Sequence, residues 1–281
     1  MKGLKIFDQI QKIFSIGNIK DDHTSKANWI LSGASVAGES HLKKGIPCQD
    51  HFEIVNHNDK IISVVCDGAG SAKYAQKGAN LFSKYISEEL KNIPFNEPIE
   101  SLDKSLFNAV VVAREKAVYE LYKTGNDKKD FATTLCAFVM LPDHYGIIHI
   151  GDGAVVAEFD EELKVISSPK NGSYANETFF ITQNHWYRNI RIITKENSSL
   201  TGVALMTDGM TPALVDSSKN ESAAAVKMIF NGFRDKQCDT ERLKQLLKSK
   251  EFGSRSSASA IFGPSAGPWD RGSQWRLCRW R

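Results

Sequence analysis

Apolar residues gather along the chain in short, β-branched runs bounded by turn formers. "WILSGASV" (29–36), "FEIVN" (52–56), "IISVVC" (61–66), "TTLCAFVML" (133–141), "YGIIHI" (145–150), "AVVAEF" (154–159) and "GVALMT" (202–207) each predict a strand. A different period holds in "AKYAQKGANLFSKYISEEL" (72–90) and "SLDKSLFNAVVVAREKAVYELYK" (101–123). There apolar positions recur every three or four residues, with Pro94 and Pro98 punctuating the gap, so two long helices follow a hairpin-like strand pair. "ESAAAVKMIFNGF" (221–233) and "ERLKQLLKS" (241–249) predict two further helices. Strands that adjoin across short turns, rather than alternating one for one with helices, predict antiparallel sheets with helices packed outside, an α+β protein. At the N-terminus, Leu4, Phe7, Ile10 and Phe14 fit one face of an amphipathic helix, read as packing against the domain more readily than as a partner or membrane helix. The segment 168–199 is polar, Asn-rich and weakly patterned, which predicts a long loop or flap.

Composition narrows the class without naming a function. The chain has 281 residues, 41% hydrophobic and 25% charged, enough for one large domain or two small ones with a substantial core. A net charge of +3 is too small to imply a nucleic-acid or membrane surface, and no stretch reaches transmembrane length. The N-terminal segment mixes Lys and Asp among its apolar residues instead of separating a basic head from an apolar block, a pattern unlike that expected of a signal peptide. Five cysteines (Cys48, Cys66, Cys136, Cys238 and Cys278) lack any Cys-x-x-Cys spacing, and they read as reduced thiols of a cytoplasmic protein.

The chemistry concentrates where strands end. "VVCDGAG", "IIHIGDG" and "VALMTDG" each close an apolar run on Asp-Gly, at Asp67, Asp152 and Asp208. A carboxylate at the end of a buried strand is costly unless paired or bound to a cation, and the glycine after it lets the backbone turn and present its carbonyl. Such oxygen-only donors suit Mg²⁺ or Mn²⁺, and the chain offers no His-Cys set suited to zinc. A single Asp-Gly reads most simply as a hairpin turn. Three of them, far apart in sequence and each directly after a hydrophobic strand, predict convergence at one edge of a sandwich.

Six landmarks in order, "CQDHF" (48–52), "VVCDGAGS" (64–71), "FATTLCAFV" (131–139), "HIGDGAVV" (149–156), "GSYANETFFIT" (172–182) and "LMTDGMT" (205–211), carry a resemblance. From about Trp29 to Phe262 the chain resembles the type-2C, metal-dependent serine/threonine protein phosphatases, especially their bacterial branch. The resemblance implies a four-layer α-β-β-α sandwich of two antiparallel sheets flanked by helices, with a binuclear Mn²⁺ or Mg²⁺ site at one edge. It further implies that Asp67 bridges the metals, that the Gly68 carbonyl ligates the first and Asp208 the second, that Asp50 holds metal-bound water, and that Asp152 serves an additional, weaker metal position. The chemistry so implied is in-line attack on phosphorus by a water acidified between two cations, without a covalent phospho-enzyme. Thr133 and Thr134 sit in a strand pattern with no base in view; β-branched packing and a hydroxyl bond to a site aspartate describe them better than nucleophilic roles.

This chain also departs from the family pattern. Relatives often place an arginine shortly before the "CQD" position to hold the substrate phosphate; here "ESHLKKGIP" leaves Lys43, Lys44 or His41 as candidates, with an ordinary solvated face as the alternative for the two lysines. Ala69 stands where many eukaryotic relatives carry a histidine. The family's closing Asp-Asp-x-Thr or Asp-Asn-x-Thr motif is replaced by "SRSSASAIFG", so Ser256 and Ser257 stand where the acids belong and Ser256 marks a vacant ligand position.

The resulting division is an amphipathic extension at 1–28, a phosphatase-like domain at 29–263 with a mobile, substrate-selecting flap about 168–199, and an irregular tail at 264–281 that reads as a cloning or frameshift remnant or a disordered tail. The leading function is hydrolysis of phosphoserine and phosphothreonine in a phosphorylated protein substrate, opposite a cognate kinase, by a monomer impaired by the missing carboxylate. A phosphatase-like binding or regulatory module is the alternative, and a phosphatase acting on a small metabolite the third reading.

Overall fold

The computed structural model describes residues 2–14, 29–58, 60–170, 178–249 and 257–265. Two five-stranded sheets face one another, and every ladder in them is antiparallel. The first, in spatial order, holds β1 (Ser32–Val36), β12 (Ala258–Pro264), β9 (Leu200–Met206), β6 (Ala154–Phe159) and β7 (Glu162–Ser167). The second holds β2 (Asp50–His57), β3 (Lys60–Asp67), β4 (Leu135–Met140), β5 (His144–Ile150) and β8 (Arg191–Glu196). Outside the first sheet lie α1 (Lys2–Phe14), α6 (Ala224–Arg234) and α7 (Thr240–Lys248); outside the second lie α3 (Ala75–Lys91) and α4 (Ile99–Tyr122). The order of layers is α-β-β-α.

Strand composition explains this arrangement. β4 and β6 are buried almost throughout because both faces of each sheet are covered, one by helices and one by the other sheet, so their residues form continuous apolar runs instead of alternating with polar ones. Three apolar layers result. Val64, Ala137 and Ile148 face Phe82, Leu106 and Val110 of the helices; Val65, Phe138 and Ile147 meet Val203, Leu205 and Ile261 between the sheets; Ala204, Met206 and Ala260 meet Ile229, Phe230 and Leu243 on the far side. α1 joins the last layer through Ile6, Ile10 and Ile13, against α6 and α7. Of the four residues expected on its apolar face, Ile10 is fully buried, and the side chains of Leu4, Phe7 and Phe14 lie outside the described residues. Two minor elements, α5 (Thr211–Leu214) and the ribbon of β10 (Val215–Asp216) with β11 (Glu221–Ser222), follow β9.

Two segments hold more regular structure than their composition suggests. Within 168–199, β8 pairs with β5 from His144↔Glu196 to His149↔Arg191, while Ile181 and Trp186 are buried against α4, and Arg114 of that helix donates to the carbonyl oxygens of Ile181 (2.8 Å) and Gln183 (3.2 Å). β8 carries a weak strand signal in the sequence because it is an edge strand whose residues are half exposed and interspersed with Arg, Lys and Glu. The expected tail also begins later than 264. Pro264 pairs with Gly202, Ser265 bridges to Trp29, and the Ser265 N–H donates to the Thr201 carbonyl at 2.8 Å. Cys66, Cys136 and Cys238 are buried, Cys48 is half-buried, and none of the four is in a disulfide; Cys278 lies outside the described residues.

Candidate active site

β2 and β3 form a hairpin whose register sets Asp50 directly opposite Asp67 at its open end. Like charges facing each other across a ladder destabilise it, so this pairing needs a compensating cation or proton. Asp152 follows β5 in the turn that crosses to β6 in the other sheet, and Asp208 follows β9 of that sheet. The sandwich therefore draws Asp-Gly pairs from both sheets to one edge. Asp67, Gly68, Asp152 and Asp208 line a single pocket of about 250 Å³, together with His41, Gln49, Thr134, Thr178 and Ser257.

The glycine after each aspartate answers to packing as well as to turning. A Cβ on Gly68 would lie 2.5 Å from the Ala75 carbonyl oxygen and 2.7 Å from that of Gln49, and one on Gly209 would collide with the Ser257 carbonyl oxygen. Backbone from another element lies directly against each, so only glycine fits.

Hydroxyls hold the acids in place. The Thr207 hydroxyl donates to Asp50 Oδ2 at 2.7 Å and accepts the Ser259 N–H at 2.9 Å, tying β2, β9 and β12 together under the site. The Thr178 hydroxyl donates to Asp152 Oδ2 at 2.7 Å. Thr133 and Thr134 bind the backbone of Asp67, not its carboxylate. The Thr133 hydroxyl and the Thr134 N–H both donate to the Asp67 carbonyl at 2.9 Å, and the Asp67 N–H donates to the Thr134 hydroxyl at 3.1 Å.

The electrostatics are those of a site short of positive charge. Burial, with Asp208 adding repulsion against the Thr207 hydrogen bond, pushes the Asp50 carboxyl up to about 7. Burial and then the charges of Asp50 and Asp208 raise Asp67 well above the carboxylate range; burial raises Asp152 as well, opposed by its bond from Thr178. Asp50 Oδ1 and Asp208 Oδ1 are buried without a hydrogen-bond partner. No lysine or arginine is among the described residues lining the pocket.

Of the three phosphate-holding candidates, His41 lines the pocket, with Nδ1 3.0 Å from the Ser257 hydroxyl. That hydroxyl also accepts the Gln49 N–H at 3.0 Å. Lys43 and Lys44 are not among the lining residues; Lys43 is exposed and pairs with Glu39 one turn away on α2 (Glu39–Lys44). Ser256 lies outside the described residues. Asp239 serves elsewhere, as the N-cap of α7, accepting the Arg242 N–H at 2.9 Å. Thr178, Thr207 and Gln49 join the site through tertiary contacts that the sequence pattern does not mark, although each sits inside one of the six landmarks.

Among the described residues, no group of three or more His, Cys, Asp or Glu side chains is placed to hold a metal ion. The donor set still fits a hard cation. Magnesium commonly keeps several waters and takes only one or two carboxylates, and the unpartnered oxygens of Asp50 and Asp208 are of the chemistry it takes. A larger groove, of about 1060 Å³, opens beside the pocket and shares Asp152 and Asp208 with it.

The protein phosphatase 2C family model matches residues 37–248. Serine/threonine-protein phosphatase 3 of Escherichia coli (strain K12) is 29% identical over 245 residues, covering 81% of this chain and 94% of that protein. Among solved structures, a serine/threonine phosphatase from Staphylococcus aureus superposes with a TM-score of 0.63 at 13% identity, over 90% of this chain and 100% of its own. One from S. agalactiae superposes with a TM-score of 0.62 at 14% identity, over 84% of this chain and 99% of its own.

Proposed function

Because the chain belongs to the protein phosphatase 2C family, we propose that it hydrolyses phosphoserine and phosphothreonine in proteins, using a pair of Mn²⁺ or Mg²⁺ ions held by Asp67, the Gly68 carbonyl and Asp208. Asp152 contributes to a further, weaker position in this reading. Asp50, opposite Asp67 across the β2–β3 ladder and with Oδ2 fixed by the Thr207 hydroxyl, would hold water beside the cations. His41, which lines the same pocket and is steadied by Ser257, is the residue that would meet the phosphate. When bound, the cations lower the pKa of solvent and neutralise charge on the phosphoryl oxygens. A cognate kinase supplies the substrate, and four described cysteines outside any disulfide suit a reducing, cytoplasmic setting.

The observation that carries this reading is the convergence of Asp67, Asp152 and Asp208 on one pocket whose described lining holds no lysine or arginine, with Asp50 paired to Asp67 across the β2–β3 ladder behind it. The test is hydrolysis of para-nitrophenyl phosphate and of phosphothreonine peptides, with Mn²⁺ binding followed by calorimetry. Turnover that requires metal, and that disappears together with heat of binding in Asp67→Ala, supports it. Turnover that persists in a chelator overturns it.

A binding module with a weakened metal site is the second reading. It is favoured by the lack of a compact three-ligand group among the described residues and by the neutral Ser257 in the pocket wall. Phosphopeptide binding without turnover at any Mn²⁺ concentration would select it.

A further inference from the structure

The groove beside the pocket runs between α1, α5 and the start of α6. Ile6, Pro212, Val215, Ala225 and Met228 give it an apolar lining, while Asp152 and Asp208 make its near end continuous with the carboxylate site. Asp216 and Glu221, both exposed, lie in its wall and stand directly opposite each other across the β10–β11 ribbon. Two like charges in that register repel unless a cation lies between them. The hydrogen bonds to Asp216, from Ser218 (N–H 3.0 Å, Oγ 2.6 Å) and the Lys219 N–H (3.3 Å), all fall on Oδ1, and those from Ser218 keep the carboxyl ionised. The apolar lining and the acidic pair thus share one channel whose end is the place where phosphate would be cleaved.

We infer that this groove seats the polypeptide flanking the phosphorylated residue of the substrate, taking an apolar side chain against Val215 and Met228 and a lysine or arginine between Asp216 and Glu221. The inference rests on the phosphatase reading and adds the substrate class: phosphoproteins with a basic and an apolar residue near the phosphorylated position. Continuity with the catalytic carboxylates favours the substrate chain as occupant, because anything else seated there would lie across its path.

The test uses the full chain with Mn²⁺ and a panel of phosphothreonine peptides whose flanks are basic and apolar, acidic, or alanine only. Para-nitrophenyl phosphate, too small to reach the groove, reports the carboxylate site by itself. Two substitutions probe the groove. Glu221→Lys reverses one rim charge at an exposed position, and Ala224→Trp projects a ring into the channel from the exposed first residue of α6. Basic–apolar peptides should have the highest kcat/KM. Glu221→Lys should cut that preference by about two- to fivefold, the worth of an exposed ion pair. Ala224→Trp should lower kcat/KM for those peptides by roughly tenfold, the loss of one buried apolar side chain, mainly through KM.

Flanks that make no difference in the parent, or variants that change peptide and aryl phosphate equally, would overturn the inference. So would a rise in peptide turnover in Ala224→Trp, which means that a segment of this chain covers the groove, or concentration-dependent dimerisation lost in that variant, which means that a second copy does. If the parent hydrolyses neither substrate, the phosphatase reading has failed separately. Fluorescence anisotropy of the same labelled peptides then decides the groove, since binding weakened by both variants supports it and unaltered binding overturns it.

Discussion

The Asp67 carboxyl is held well above the carboxylate range by burial and then by the charges of Asp50 and Asp208, so its ionised form is disfavoured in the metal-free fold. Its replacement by the isosteric amide should therefore separate function from stability. In Asp67→Asn, para-nitrophenyl phosphate turnover is expected to fall to the level of a chelated control, while the melting temperature of the metal-free protein stays level or rises, because a repulsion is removed without a change of shape. A clear drop in the metal-free melting temperature would show that the carboxylate supports the fold. The opposite pairing is expected at Gly209. Its missing Cβ leaves room for the Ser257 carbonyl, so Gly209→Ala has to push β12 away from the site, at a cost of about 1–3 kcal/mol on urea unfolding, and turnover should fall with it.

At the scale of elements, the sandwich edge formed by β5, β7 and β8 carries its own pH dependence. His149 of β5 is fully buried, with Nδ1 2.7 Å from the Ser167 hydroxyl and 2.7 Å from an Arg191 guanidinium nitrogen, a donor that makes Nδ1 the acceptor. Burial first, and the guanidinium second, hold its pKa well below 6.5. At His149 the folded chain thus binds fewer protons than the unfolded chain once pH drops below about 6.5, so this residue's contribution to stability is lost as pH falls through that window, at up to about 1.4 kcal/mol per pH unit and against the opposite contribution of the raised Asp50 and Asp67 carboxyls. His149→Gln should flatten this part of the stability profile relative to the parent when both are followed by urea unfolding. Helix α1 offers a second element-scale test. Ile10 is fully buried against the first sheet's helices, so Ile10→Ala should cost about 2–5 kcal/mol if α1 is integral to the domain, and almost nothing if it is a loose appendage. The elements that sequence revealed are those with buried apolar runs, such as β3, β4 and β9, and their ends located Asp67 and Asp208. β7 and β8, at sheet edges, carry mixed polar and apolar residues, and α2 has six residues with no buried side chain, which is why its His41 stood out only through the resemblance. Ser257 and Thr207 act in the site through partners more than 150 residues away in sequence, a relation that no local pattern encodes.

Over the whole molecule, the first sheet joins distant parts of the chain. β12 lies between β1 and β9, pairing Ser32 with Phe262 on one side and Met206 with Ala260 on the other. A chain ending at residue 256 would lose both ladders and Phe262 from beneath α6, so it is expected to be insoluble or to lack a cooperative melt, where loss of a dispensable edge strand would leave a folded protein. The position of β12 also has a meaning in time. On a ribosome, β1 and β9 emerge long before their common neighbour, and at about 5–20 residues per second the sheet waits several seconds with two complementary edges open. Throughout that wait, neighbouring nascent chains on one message present identical unpaired strands to each other. Codon choice between Met206 and Ala258 therefore becomes a determinant of yield: slow decoding there should raise the aggregated fraction, and a holdase acting during translation should restore it, with no change in the amino-acid sequence.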